Sequence, residues 1–188
     1  MTKTSRSASF SRYPLGQPWC EAIELEDGRQ FLIRPMQPED APTLRRSFSR
    51  LTPDEIRMRF MHPIKELTEN YSRKLATIDP EHEFALVLVE NRHPDEALIG
   101  AVVRAAIDHT KREAEFAIIV GGEVSRNGLG KHLMKKVIEW ARKKGLDAIY
   151  GLVLHDNTAM LKLADSLGFD RYYNDLDNEV TLVRLRLR

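Results

Sequence analysis

Residues 123–136 read EVSRNGLGKHLMKK. Gly128 and Gly130 sit two apart, and Leu129, Leu133, Val137, Trp140 and Ala141 then recur at helical spacing. The first backbone N–H groups of such a helix have no internal partner, and its dipole places positive potential there. Glycine lets an anionic group approach the backbone closely, so the stretch is a candidate phosphate cradle. Two glycines that merely turn the chain make the same pattern. A nucleoside-triphosphate loop needs glycine at 125 and Ser or Thr after the lysine; this chain has Ser125, and His132 follows Lys131. A dinucleotide fingerprint needs a third glycine at 133, which is Leu133. The pyrophosphate of coenzyme A is the third candidate ligand.

The elements around this stretch follow from periodicity. IELEDGRQFLIRP reads as two strands about the Asp27-Gly28 turn, stopped by Pro35 and Pro38. Leu44, Phe48 and Leu51 have helical spacing, Thr52-Pro53 with Glu55 marks a helix start, and a further amphipathic helix falls at roughly 66–77. EFALVLVE, ALIGAVVRAAI and EAEFAIIV are strands in series with short links, which predicts an antiparallel meander. The long helix runs from about Gly128 to Lys144, with Gly145 placed to end it. DAIYGLVL is a strand, NTAMLKLADSL a helix, and FDRYY and EVTLVRLRL are two last strands. The order predicts a single mixed α/β domain over 19–188, preceded by a disordered tail at 1–18.

Lys+Arg 29 against Asp+Glu 28 lacks the basic excess of a dedicated nucleic-acid binder. The lone Cys20 excludes an internal disulfide or a four-cysteine zinc site and fits a reducing compartment. No metal is implied. No apolar run approaches the roughly 20 residues that span a bilayer. Lys3, Arg6 and Arg12, with no acid before Glu21, weakly resemble an organellar transit peptide, but a cytoplasmic protein is the expectation. Nothing in the sequence demands an oligomer.

The run from AEFAIIV to LADSLGF resembles the core of the GNAT superfamily of acyl-CoA-dependent N-acetyltransferases. The family pattern is Arg/Gln-x-x-Gly-x-Gly/Ala, a long helix, a strand, an Asn, a short helix and Gly-Phe. Gly128, Gly130, Asn157 and Gly168-Phe169 match it; Ser125 departs from its first position. FLIRPMQPEDAPTLRRSFSRLTPDEIRMRF and GLVLHDNTAMLKLADSLGF are further similar to the acetyltransferase domain of bacterial Pat-type protein lysine acetyltransferases, and the likeness covers roughly residues 20–187.

This resemblance implies a splayed, mostly antiparallel sheet flanked by helices, with acetyl-CoA as cosubstrate. Backbone groups of Ile118 and Val120 would pair with the pantetheine arm. Arg126, Asn127, Gly128, Leu129, Gly130 and Lys131 would offer N–H groups to the pyrophosphate. Asn157 would bond the pantetheine region, cap its own helix, or do both. Glu115, in the pattern Ala-Glu-Phe-Ala, would be the general base that frees an amine to attack the thioester. Burial in an apolar strand would suit it to that task, whereas a carboxylate at a strand edge would simply face solvent. Glu113 lies on the same strand face. The family's thiolate-protonating Tyr is replaced by Ala164. Tyr150, Tyr172 and Tyr173 read as packing residues, and His109 and His155 as structural or surface ones.

The acceptor would enter along RLTPDEIRMRFMHP, where Phe60 and Met61 either form a wall or belong to the core, and Arg57 and Arg59 either read acidic groups or are solvated. The acceptor expected is a protein lysine, with an acyl-CoA synthetase as one candidate. A small amine such as a polyamine is the alternative, with DLDNE at 175–179 as its acidic cluster; a non-catalytic acyl-CoA sensor is a further one.

Overall fold

The computed structural model describes residues 9–174 and 176–188, with the backbone alone at 174, 177 and 178. Strands β1 (Phe10–Pro14), β2 (Glu21–Leu25) and β3 (Gln30–Pro35) precede helices α1 (Ala41–Phe48), α2 (Pro53–Phe60) and α3 (Glu69–Ala76). Strands β4 (Glu83–Glu90), β5 (Ile99–Asp108) and β6 (Glu113–Val120) lead into helix α4 (Leu129–Lys143). Strand β7 (Ala148–Leu154), helix α5 (Thr158–Ser166) and strands β8 (Asp170–Asn174) and β9 (Asp177–Arg186) complete the fold. Among the described residues these strands form one sheet in the order β1-β2-β3-β4-β5-β6-β7-β9-β8. Neighbours are antiparallel throughout, including the expected β4-β5-β6 meander, except for the parallel pair β6–β7.

Local chemistry sets the ends of these elements. Gly28 turns β2 into β3 at φ 87, a left-handed conformation that suits glycine. In α2, Thr52 Oγ1 accepts from the Glu55 amide at 3.1 Å while Glu55 Oε2 accepts from the Thr52 amide at 2.8 Å, a reciprocal cap. The apolar stripe of α4 is buried as its spacing predicts. The stretch 1–18, read as a tail, contains β1, which pairs from Phe10↔Leu25 to Pro14↔Glu21. An edge strand with Arg12 and Tyr13 exposed carries little apolar alternation, so pattern alone does not reveal it. Residues 1–8 lie outside the described residues.

The sheet separates two apolar clusters. Phe84, Leu86 and Leu88 of β4 face one way, together with Phe116 of β6, toward the stripe of α4 and Leu161 of α5. Ala85, Val87 and Val89 face the other way, toward Leu44, Phe48 and Ile56 of α1 and α2. β4 is thus buried on both faces, which explains its uninterrupted apolar run.

The feature that positions the site is a fork. β6 and β7 pair only at Glu113↔Ala148, Ala114↔Ile149 and Glu115↔Tyr150. Beyond that, β6 follows β5 to Val120↔Ala101, and β7 follows β9 to Leu154↔Val180. Phe116 sits just past the vertex. Its ring lies where a side chain at 151 would project: a Cβ on Gly151 would stand 2.7 Å from it. The ring also meets Phe169 edge-on at 5.5 Å between centroids.

Candidate active site

On one side of the fork the backbone supplies the functional groups. β6 leaves its ladder with β7 at Glu115, so alternate residues of 116–120 turn peptide groups toward the gap, on the stretch that holds Ile118 and Val120. A 3-10 turn at Gly122–Val124 follows, then Arg126 at φ 67 and Gly128 at φ 83. Gly128 is the N-cap of α4 and has no side chain to cap it. None of the N–H groups from Arg126 through Lys131 finds an acceptor among the described residues; the first helical bond runs from the His132 amide to Gly128 O at 3.1 Å. These open donors at a helix N-terminus are a candidate anion cradle.

Side chains in this loop hold its shape. Ser125, at the position where the sequence departs from the family pattern, donates from its hydroxyl to Gly122 O at 2.9 Å and so closes the turn. Asn127 donates from Nδ2 to Val124 O and Ser125 O, each at 3.3 Å, so only its main-chain N–H is open. Leu129 is buried and likewise offers only its amide. Across the gap, Asn157 Oδ1 accepts from the Met160 amide at 3.2 Å and caps α5. Its Nδ2 has no acceptor among the described residues, so both uses expected of Asn157 are compatible.

Glu115 stands at the vertex, on the sheet face that looks toward α1 and α2. It is exposed, which corrects the expectation of a buried carboxylate. Alternation puts Ala114 and Phe116 into the core and turns Glu115 outward beside the gap. Among the described residues it has no hydrogen bond or ion pair. Glu113, two residues earlier, is bound to Arg184 Nη2 at 2.6 Å and is not available. Tyr150 lies opposite Glu115 in the register. Burial raises its phenol above the ordinary value, helped by the charges of Glu115, Asp108 and Glu113, so Tyr150 keeps its proton. Ala164 is fully buried.

On the other side of the fork the wall is α2. Its Glu55 Oε1 accepts from the Gly122 amide at 2.8 Å, tying the helix to the loop after β6. Arg57 Nη2 donates to Asp156 Oδ2 at 2.7 Å and to Asp54 Oδ1 at 3.0 Å, tying it to the loop after β7. The hydrogen bond from Arg57 holds the Asp156 carboxyl below its ordinary value. α2 therefore braces both tines. Sequence reading found Glu55 only as a cap and missed Asp156, because partners 67 and 99 residues away leave no local signal.

Behind α2 lies an apolar pocket, open to solvent, lined by Phe48, Leu51, Phe60, Ile119, Arg59 and Arg104 among others. Phe60 lines this pocket. Met61 does not; it ends α2 at φ 64. Of the acidic stretch 175–179, Asp175 and the side chains of Asp177 and Asn178 lie outside the described residues. Among the described residues no group of three or more metal-ligating side chains converges, and no helix is long and apolar enough to cross a membrane.

The family model of the acetyltransferase (GNAT) domain matches residues 30–170. The acetyltransferase PA5475 of Pseudomonas aeruginosa is 31% identical over 183 residues, which cover 97% of this chain and 96% of that protein. Acetyltransferase Pat of Mycolicibacterium smegmatis is 27% identical over 146 residues, 78% of this chain; the match spans only 43% of that longer protein. Among solved structures, the GNAT domain of S. lividans PAT superposes with TM-score 0.77 at 20% identity, covering 93% of this chain and 99% of that one. Spermidine N-acetyltransferase from Vibrio cholerae, solved in complex with CoA and spermine, superposes with TM-score 0.64 at 17% identity over 84% of this chain and 95% of that one.

Proposed function

The chain belongs to the GNAT acetyltransferase family, and from that membership we propose that it moves an acetyl group from acetyl-CoA to a protein lysine, with an acyl-CoA synthetase as the first acceptor to try. The observation that carries the reading is the pairing of an open main-chain cradle with an unengaged carboxylate, Glu115, at the vertex of the fork. Lysine as the acceptor comes from the sequence's resemblance to Pat-type protein lysine acetyltransferases, and a relative named acetyltransferase Pat is in keeping with it.

In this reading the amides of Arg126 through Lys131, with the Lys131 ammonium, hold the pyrophosphate. The open edge of β6 at Ile118 and Val120 and the Nδ2 of Asn157 hold the pantetheine arm. Acetyl-CoA bound there supplies a thioester carbon as electrophile and a thiolate as leaving group. A lysine amine is protonated near neutral pH. Glu115 takes that proton, directly or through one water, and the freed lone pair forms the new C–N bond as the C–S bond breaks. Exposure at the vertex gives Glu115 a path to pass its proton to solvent. With Ala164 in place of a phenol, the second proton shed by the nitrogen as the amide forms passes through water to the departing thiolate, leaving free CoA thiol.

The test is CoA release from acetyl-CoA with an acyl-CoA synthetase, a lysine peptide or spermidine, comparing wild type with Glu115→Gln. Loss of a general base lowers kcat by about 10²–10⁴-fold, while calorimetric binding of acetyl-CoA stays intact. Wild-type turnover by Glu115→Gln would remove Glu115 from the mechanism. Release with spermidine alone would replace lysine by a small amine.

A further inference from the structure

Two arginines line the pocket behind α2 without a carboxylate partner, unlike the arginines that tie other parts of the fold. Arg34 is paired with Asp40, Arg57 with Asp54 and Asp156, Arg171 with Asp165 and Arg184 with Glu113. Arg59 has no hydrogen bond and no ion pair among the described residues. Its half-buried guanidinium stacks over Phe60, 4.7 Å from the ring centroid. Arg104 spends Nη1 on Leu75 O at 2.5 Å and on Met36 Sδ at 4.0 Å, and its other donors have no acceptor among the described residues. Among the described residues the buried side-chain atoms without a partner are Arg46 Nε and Thr181 Oγ1, so the unbonded nitrogens of Arg59 and Arg104 reach open space. Burial lowers the pKa of both arginines, and the charge of Arg104 lowers that of Arg59 further; a guanidinium stays charged through such shifts. Removing unpaired charge from water is costly, and a stacked ring offsets only part of that cost.

The pocket wall at Arg104 belongs to the β5–β6 ladder that also carries the proposed base. Arg104 faces Ala117 across the β5–β6 ladder and Ala106 faces Glu115, so Arg104 and Glu115 share one sheet face two ladder positions apart. That spacing is about 7 Å along the strands. Arg59 feels the charge of Glu115 as well. We propose that Arg59 and Arg104 form an anion subsite that binds a carboxylate carried by the amine acceptor while its amine sits at Glu115. The proposal rests on Glu115 marking the place of the amine. The carboxylate comes either from an acidic side chain beside the lysine or from the acceptor's own α-carboxylate, and two guanidiniums repel a polycation such as spermidine.

The experiment uses two matched pairs with wild type and Arg59→Met. The first pair is a terminally blocked lysine peptide flanked by Glu and the same peptide with Gln. The second is Nα-acetyl-lysine and its amide. In wild type the acidic member of at least one pair has a KM about tenfold below its neutral partner, as a charge-assisted bidentate contact gives; in Arg59→Met that ratio falls to about one. Which pair responds identifies the source of the carboxylate. Equal KM values in wild type, or a preference that survives in Arg59→Met, overturn the subsite, as does faster turnover of spermidine than of either acidic compound.

Glutarate titrated calorimetrically into the CoA-saturated protein separates this proposal from the lysine reading. If no lysine compound turns over but wild type binds glutarate and Arg59→Met does not, the subsite stands and the acceptor reading falls. Absence of glutarate binding in wild type overturns the subsite. Arg59→Met removes an unpaired cation from an apolar pocket, so its melting temperature stays at or above that of wild type.

Discussion

On the α4 side of the fork the candidate contacts are main-chain amides, from Arg126 to Lys131, arranged by one left-handed glycine. On the α2 side they are side chains, Glu115, Arg59 and Arg104. The first kind of surface depends on backbone path and is indifferent to most side chains. Ser125 illustrates this: it departs from the family pattern, yet its hydroxyl closes the turn on Gly122 O and the amides beyond it remain open. The second kind changes its chemistry with a single substitution. Such a molecule can keep a main-chain surface unchanged while its side-chain surface diverges.

The sharpest way to break the comparison is at the vertex, where both sides meet. Gly151→Ala places a methyl 2.7 Å from the Phe116 ring, which is buried and held against Phe169. Overpacking of this kind costs about 1–3 kcal/mol. The expected outcome is a melting temperature lowered by several degrees, with KM raised for both acetyl-CoA and the acceptor, because both tines start there. An unchanged melt would show that the ring swings aside and that the fork is not set by this contact.

A variant confined to one side sharpens it. Gly128→Val puts a β-branched residue at φ 83, where a left-handed conformation costs about 1–2 kcal/mol and more for a branched side chain. Relaxation of that strain disperses the amides of the cradle. KM for acetyl-CoA is expected to rise about tenfold, and calorimetric affinity for CoA to fall in parallel. An equal rise in acceptor KM, measured at saturating acetyl-CoA, would mean that the two surfaces are not separable.

The same division governed what the sequence made legible. The stripe of α4, the double-faced run of β4 and the glycine ahead of the cradle are local patterns, and periodicity or backbone geometry exposes them. The strand at Phe10–Pro14 escaped because an exposed edge strand has no apolar face to repeat. Glu115 was placed in the right strand but in the wrong environment, since residue type alone does not say which face of β6 lies open beside a gap. Arg57 and Arg59 looked equivalent two residues apart. On α2 that step is about 200° of rotation, which sends Arg57 to Asp156 and leaves Arg59 in the pocket. Partners of this kind are set by the tertiary fold.

The smallest effect expected is a pH dependence confined to the α4 side. The back of α4 is fastened to β2 by Glu21, whose carboxylate accepts from His132 Nε2 at 2.7 Å and Lys136 Nζ at 3.0 Å. Burial pushes His132 below its ordinary 6.5, outweighing its bond to Glu21. Burial also raises Glu21, but its bonds to His132 and Lys136 hold it below 4.5 on balance. Both groups therefore bind fewer protons folded than unfolded. Their stabilisation is fully present above the unfolded values and is lost as pH falls, for His132 through the range just below 6.5 and for Glu21 below 4.5. Stability measured by denaturant midpoint should decline gently from pH 7 toward pH 5. KM for acetyl-CoA should rise over that interval more than acceptor binding weakens, because α4 carries the cradle. In His132→Gln the decline between pH 7 and pH 5 should flatten, since no imidazole remains to be protonated. A decline of undiminished slope in that variant would assign the acid sensitivity to some other group and detach it from the cofactor side of the fork.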